Sequence, residues 1–406
     1  MRVRARDEAW RETRTATPLS LSMPLAQREH GDTPVRAFLW GLLPDNERVL
    51  DRWAQDYQVS SGNPFALLRH VGEDCAGAAQ FVRPERVDKL IAGEGDVQWL
   101  TDTDVAERLR ILRRDPTAWH VRNSGQFSLA GAQAKIALHR DPGAGRWGEP
   151  RGSVPTTHIL KPAVTGLDDH DLNEHLCLAA ARLLGLPVAS THVGQFADER
   201  AIVVQRYDRH QMADGTITRI HQEDMCQALS VSPTTKYQNE GGPTPEQIIE
   251  LLRRSVFPAQ LAAAAVNSFV DALAFNWIIY GTDGHAKNYS LLLSGSQVRL
   301  APLYDVASAL AYDDMYPPKL RMAMKIGDGY RVEATSGRHW RTFAAMNGLD
   351  PDETIARIDH LVERVPDAFG TVAEDETIRS LKSKLPERLT ERIAAAAAAS
   401  RTRLRH

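Results

Sequence analysis

The chain has 406 residues, room for two or three domains with cores of their own. With 43% hydrophobic and 25% charged residues it has the composition of a folded globular protein. A net charge of −3 excludes a global basic field of the kind that coats nucleic acid, though not a local basic patch.

Residues 1–14 carry Arg2, Arg4 and Arg6 with no apolar run behind them, so they do not read as a signal peptide. Leu19, Leu21 and Met23 alternate with Ser20 and Ser22, which predicts a half-buried strand ending at Pro24. Residues 34–57 are expected to be helical with a break at Pro44. Residues 102–114 form an amphipathic helix, stopped by Asp115-Pro116. Its arginines Arg108, Arg110, Arg113 and Arg114 read either as a solvated face or as a nucleic-acid patch. From 118 to 210 short apolar runs dominate, at 126–129, 134–139, 157–160 and 201–205. Residues 141–153, rich in Gly, Pro and charge, are expected to be a solvated hairpin loop. One helix, 171–184, interrupts the strands and is closed by Gly185. A small antiparallel sheet with one helix is the expected arrangement.

From about residue 211 the chain turns helical, at 245–254, 258–280, 352–365 and 375–399. The apolar stretch 261–280 is interrupted by Asn267, Ser268, Asp271 and Asn276, so it is expected to be a core helix and not a membrane span. Pro386 is expected to break the last helix, and its tail, with six alanines at 394–399, to fray. A sheet lobe before a helical lobe implies a cleft, where ligands usually sit. The three cysteines, Cys75, Cys177 and Cys226, lack metal-ligand or CxxC spacing and read as reduced thiols of a cytoplasmic protein.

Transfer of a phosphoryl group needs a phosphate holder, one or two Mg²⁺ ions, a positioned hydroxyl and charge neutralisation. Residues 128–135, SLAGAQAK, place small side chains around Gly131 between two predicted strands. That is a structural turn or a cradle of backbone N–H groups for an anion. Lys161 ends an apolar strand before Pro162, and Glu174 lies thirteen residues later on the predicted helix. They are two surface charges or a nucleotide-orienting pair. The strongest pattern is 282–288, TDGHAKN, directly after the apolar helix. Asp283 and Asn288 are five residues apart, the spacing of base and metal-binding Asn in a kinase catalytic loop. Asp305 ends a further apolar run as a candidate second Mg²⁺ ligand.

At these residues the chain resembles the HipA toxin family of bacterial kinases. The resemblance runs through 18–24 (PLSLSMP), 42–45 (LLPD), 127–135 (FSLAGAQAK), 157–161 (THILK) and Asn173-Glu174. It continues through 206–209 (RYDR), 222–227 (QEDMCQ), 236–243 (KYQNEGGP), 282–288 and 303–305. It implies an α+β, bilobal fold of the protein-kinase and phosphatidylinositol-kinase type. The implied divisions are an N-terminal subdomain at 1–117, an antiparallel-sheet N-lobe at 118–210, a helical C-lobe at 211–375 and an Ala/Arg-rich C-terminal helix at 376–406. Residues 2–10 align with a later strand of the N-terminal domain, so a first hairpin is expected to be missing.

The resemblance also implies roles. Asp283 is the catalytic base, with His285 supporting the loop and Lys161 on the ATP phosphates. Nucleotide contacts fall to Ala130, Gly131, Ala132, Gln133, Lys135, Glu174, Gln205, Tyr207, Gln222, His285 and Lys287. Asn288 and Asp305 bind Mg²⁺, and Ser128 is the autophosphorylated serine. The family's usual substrate is an aminoacyl-tRNA synthetase, most often the glutamyl enzyme. Its usual partner is HipB, a helix-turn-helix antitoxin that carries the complex to operator DNA. Ala134, Gln205 and His221 depart from the family pattern, which carries Glu, Glu and Pro there. A small-molecule kinase, or a corepressor acting mainly through its antitoxin, are the other readings.

Overall fold

A computed structural model of the chain describes residues 3–4, 16–119, 127–164 and 166–406. Arg2 and residues 5–10, part of the segment aligned with a later strand of the N-terminal domain, and Gln126 lie outside them. The chain divides into two compact units. The first comprises Met1–Asp171, His192–Thr234 and Ser290–Val298; the second comprises Leu172–Thr191, Thr235–Tyr289 and Arg299–His406.

The first unit is built on a six-stranded sheet. Its spatial order is Gly95–Leu100, Trp147–Gly152, Ile136–Arg140, His158–Pro162, Glu199–Gln205 and Thr191–Phe196. Pairing from Gly95–Leu100 through Glu199–Gln205 is antiparallel. Three strands match the apolar runs. The fourth, Trp147–Gly152, overturns the expected solvated loop across 141–153. Only its first half is a turn. Trp147 is buried, and Glu149 takes the Arg108 guanidinium at 2.5 Å, so a charged stretch becomes an interior strand.

Helices Asp32–Gly41, Glu47–Tyr57, Pro64–Val71 and Asp102–Arg114 pack with this sheet into one apolar cluster. It runs from Phe38, Leu42 and Trp53 through Leu109 and Trp119 to Leu160 and Val203. The break between the first two helices falls around Pro44, as expected, and Asn46 caps the second. Asp102–Arg114 starts at a capping box between Thr101 and Asp104. Its arginines are held by acids of the same unit: Arg110 by Glu107 and Asp198, Arg113 by Glu199.

The expected strand at 18–24 is instead a series of turns. Side chains, and not a neighbouring strand, satisfy this segment: Leu21 N–H donates to Glu223 Oε1 and Ser22 N–H to Ser20 Oγ. Ser20 and Ser22 Oγ both donate to the Gln227 carbonyl, at 3.3 and 3.1 Å, and Met23 N–H turns back to the Ser20 carbonyl.

The second unit is helical. Ala259–Ile278 is the one described helix long and apolar enough to cross a membrane. It is a core helix here: Val266, Phe269, Leu273, Phe275 and Trp277 are buried. Pro351–Ala373 runs eight residues past the expected stop at 365, carrying Pro366 inside it. The last segment divides into Glu376–Ser380 and Leu385–Leu404. The division into two helices is the expected one; the break falls at 381–384, and Pro386 sits in the first turn of the second helix, where a missing N–H costs nothing. The alanine tail does not fray. Ala396, Ala397, Ser400 and Leu404 are buried, and the small side chains let the helix pack closely along Pro351–Ala373.

Candidate active site

The catalytic-loop candidate follows the core helix directly. After Ile278 the chain reverses through Tyr280, whose φ is 56°, and Gly281, whose N–H returns to the Asn276 carbonyl at 2.7 Å. A Cβ on Gly281 would lie 2.2 Å from Asn276 Oδ1, so no larger residue fits this close approach. Asn276 Nδ2 is itself tied to the Ala272 carbonyl and to the Tyr289 hydroxyl, at 3.1 and 3.2 Å. The loop is thereby stapled at both ends to the helix that precedes it.

Within the loop Asp283 is exposed, while His285, Lys287 and Asn288 are buried. The Asp283 carbonyl accepts the His285 N–H at 2.7 Å and Asn288 Nδ2 at 2.8 Å. Asn288 Nδ2 also faces the Asp305 carbonyl at 3.5 Å. The structure thus brings Asp283, Asn288 and Asp305 together. With Nδ2 turned to backbone carbonyls, the Asn288 amide keeps its oxygen for another partner. Asp305 has a φ of 59°, an uncommon conformation for a residue with a side chain. Tyr304, beside it, donates its hydroxyl to the Lys287 carbonyl at 2.6 Å. Among the described residues no group of three or more His, Cys, Asp and Glu could hold a metal ion. Mg²⁺ needs no such cage. It takes one or two protein oxygens and completes its shell with phosphate and water, and an amide oxygen beside a carboxylate fits it.

One contact was not read from the sequence. Tyr237 Oη donates to Asp283 Oδ1 at 2.5 Å, and its ring stands edge-on to His285 with centroids 4.9 Å apart. The signal was present in the KYQNEGGP segment, which carried resemblance but no chemical role. Glu174, on the helix His170–Leu183, is almost wholly buried in the second unit. Its neighbour Asn173 exchanges hydrogen bonds with Ser308 backbone at 2.9 and 3.1 Å.

The remaining candidates lie in the first unit. Phe127–Ser128 pairs in parallel with Asp74–Cys75. Ser128 is fully buried, and its hydroxyl donates to the Leu42 carbonyl at 2.8 Å. The turn that follows leans on 42–45: Gly131, at φ 104°, accepts the Asp45 N–H through its carbonyl at 3.1 Å. Lys135 Nζ donates to the Ala130 carbonyl at 2.8 Å and would meet a Cβ on Gly131 at 2.6 Å, so the lysine closes over the glycine. Ala132 is exposed, and Gln133 Nε2 reaches the Pro162 carbonyl at 3.4 Å. Lys161 is buried on the strand His158–Pro162, opposite Ile202. Gln205 ends the adjoining strand opposite His158, and Tyr207 follows in the turn beyond it. Gln222, on the strand His221–Asp224, pairs with Leu292; its Oε1 is buried without a hydrogen-bond partner among the described residues.

A buried charge cluster fixes this turn. Asp74 receives Arg209 at 2.9 Å, Arg219 at 3.2 Å and Arg206 at 3.4 Å, while Asp208 receives Arg206 at 2.8 Å and Arg209 at 3.0 Å. Burial alone would raise the Asp74 pKa, but Arg209, Arg206 and Arg219 hold the carboxyl well below the usual range. Next to it, His221 accepts the Ala78 N–H on Nδ1 and donates from Nε2 to the Leu19 carbonyl.

Fold and site define a class: an α+β protein of the kinase-like type, with an antiparallel-sheet unit and a helical unit carrying an Asp–Asn loop. The HipA-like C-terminal domain matches residues 127–369, and the HipA N-terminal domain matches residues 3–82. The chain belongs to the HipA family. It is 38% identical over 374 residues to Y4mE of Sinorhizobium fredii, provisionally named a kinase, covering 91% of this chain and 86% of that protein. It is 29% identical over 367 residues to the serine/threonine-protein kinase toxin HipA of Shewanella oneidensis, covering 87% and 81%. The solved Shewanella oneidensis complex of HipA, HipB and operator DNA contains a chain that superposes with a TM-score of 0.81 at 25% identity. That superposition covers 98% of this chain and 92% of that one.

Proposed function

We propose that this chain is the toxin of a type II toxin–antitoxin pair, acting in the cytoplasm as a protein serine/threonine kinase that uses ATP and Mg²⁺. The observation that carries this reading is the loop in which exposed Asp283 stands five residues before Asn288, whose Nδ2 bonds the Asp283 carbonyl. In this reading Asp283 takes or orients the proton of the acceptor hydroxyl, and His285 supports the loop. Asn288 Oδ1 and the Asp305 carboxylate would hold Mg²⁺, which supplies charge neutralisation at the transferring phosphoryl group. Lys161 and the turn from Ala130 to Lys135 bind the phosphates, and Glu174 and Lys287 are further nucleotide residues. Backbone groups at Gln205 and Tyr207 meet the adenine, and Gln222 Oε1 contacts the nucleotide.

The acceptor in this proposal is a hydroxyl on an aminoacyl-tRNA synthetase, the glutamyl enzyme first, whose inhibition arrests translation and growth. Ser128 is the autophosphorylation site. The partner is a HipB-like helix-turn-helix antitoxin, which carries the complex to operator DNA. Phosphoproteomics after induced expression tests this reading. A synthetase phosphopeptide and phospho-Ser128 are expected with the native chain and absent with Asp283→Ala. Growth arrest that persists in Asp283→Ala without phosphorylation would overturn it.

A further inference from the structure

We infer that Tyr237 is a positioning residue for the phosphoryl-transfer reaction, fixing the direction of the Asp283 carboxylate; this rests on reading Asp283 as the base. The loop fixes only the Asp283 backbone, through His285 N–H and Asn288 Nδ2. The side chain stands exposed, where a carboxylate ordinarily samples several rotamers. The Tyr237 hydroxyl holds it at 2.5 Å, the length of a charge-assisted O–H···O⁻ bond. That bond engages Oδ1 and leaves Oδ2 to face an acceptor hydroxyl. A base must point at the proton it takes, and small misplacements cost rate steeply.

Tyr237 can do this because its own place is built. Its carbonyl accepts the Gly242 N–H at 2.9 Å, which closes the 237–242 turn. Gln238 Oε1 accepts the Lys325 N–H at 2.7 Å, anchoring the turn to the strand Arg321–Ile326. The Lys236 carbonyl takes the Ala286 N–H at 3.4 Å, and the ring rests edge-on against His285. The phenol is thus carried by a segment docked on the catalytic loop itself.

The test uses the full chain, Mg²⁺ and ATP, with label transfer as the readout for the native protein, Asp283→Ala and Tyr237→Phe. Phe keeps the ring against His285 and removes only the hydroxyl. Losing one hydrogen bond to a charged group is expected to lower kcat roughly tenfold, with KM for ATP held within about twofold. Native kcat in Tyr237→Phe overturns the proposal, and so does a raised kcat, which would make the phenol an occupant of the acceptor's place. Equal damage to kcat and KM also overturns it, as a general structural role. An inactive native chain, or an active Asp283→Ala, instead defeats the reading of Asp283. Thermal melting supplies a second measure that survives a loss of activity. If the two groups act as a pair, the double variant melts no lower than the worse single variant; additive losses would contradict the pairing.

Discussion

Ser128 Oγ donates to the Leu42 carbonyl at 2.8 Å, with the serine fully buried. A phosphate has no place there: its charge of about −2 would be buried against a carbonyl oxygen. The phosphorylated chain is therefore expected to release 128–135 from 42–45. Hydrogen exchange at Asp45 N–H, which now bonds the Gly131 carbonyl, should accelerate on phosphorylation. Ser128→Asp should loosen the same amides and Ser128→Ala should not, although it loses about 1 kcal/mol with the hydrogen bond. Unchanged exchange in the phosphorylated chain would contradict this.

Glu223 governs a pH dependence of stability. It is buried, accepts the Leu21 N–H at 2.8 Å on Oε1, and has no partner for Oε2 among the described residues. Burial pushes its carboxyl up from 4.5 to about 8, against the opposing pull of the Ser20 and Leu21 hydrogen bonds. Between those values the unfolded chain is ionised there and the folded chain is protonated. Folded protein then binds more protons, and stability falls as pH rises. Glu223→Gln, which keeps the shape and an oxygen for Leu21, should remove this fall. Its stability should match the native value near pH 4 and exceed it near pH 8, by roughly a few kcal/mol. Parallel melting curves across that range would refute the assignment.

Asp74 acts with the opposite sign. Its folded pKa lies below the ordinary value of 3.8, so its contribution is complete above that value and is lost as pH falls further. Asp74→Ala would leave Arg206 and Arg209 to Asp208, remove the carboxylate that holds Arg219, and strip Thr156 of its acceptor. The expected loss is about 3–5 kcal/mol by chemical denaturation, typical of breaking a buried ion pair. A loss below about 1 kcal/mol would show that the cluster repacks.

The sequence exposed the site where chemistry forces short-range spacing, and hid it where partners are distant. Asp283 and Asn288 are held by one loop, and their five-residue spacing reports that directly. The strands at 136–140, 158–162 and 199–205 announced themselves as apolar runs because most of their residues are buried. Trp147–Gly152 did not, since its burial depends on Arg108 meeting Glu149 from another element. The alternation at 18–24 imitated a strand, but it reports serines bonded to the Gln227 carbonyl. Asp74 gave no signal either, because its arginines lie more than 130 residues along the chain. Tyr237 stood in a recognised segment, yet only the folded chain shows its hydroxyl on Asp283.

The most direct test of the central claim is transfer of labelled phosphate from ATP by the purified chain with Mg²⁺. Label on Ser128 in the native protein, lost in Asp283→Ala and on chelation of the metal, is the predicted result. Label that survives Asp283→Ala would contradict the assignment of this loop as the catalytic centre.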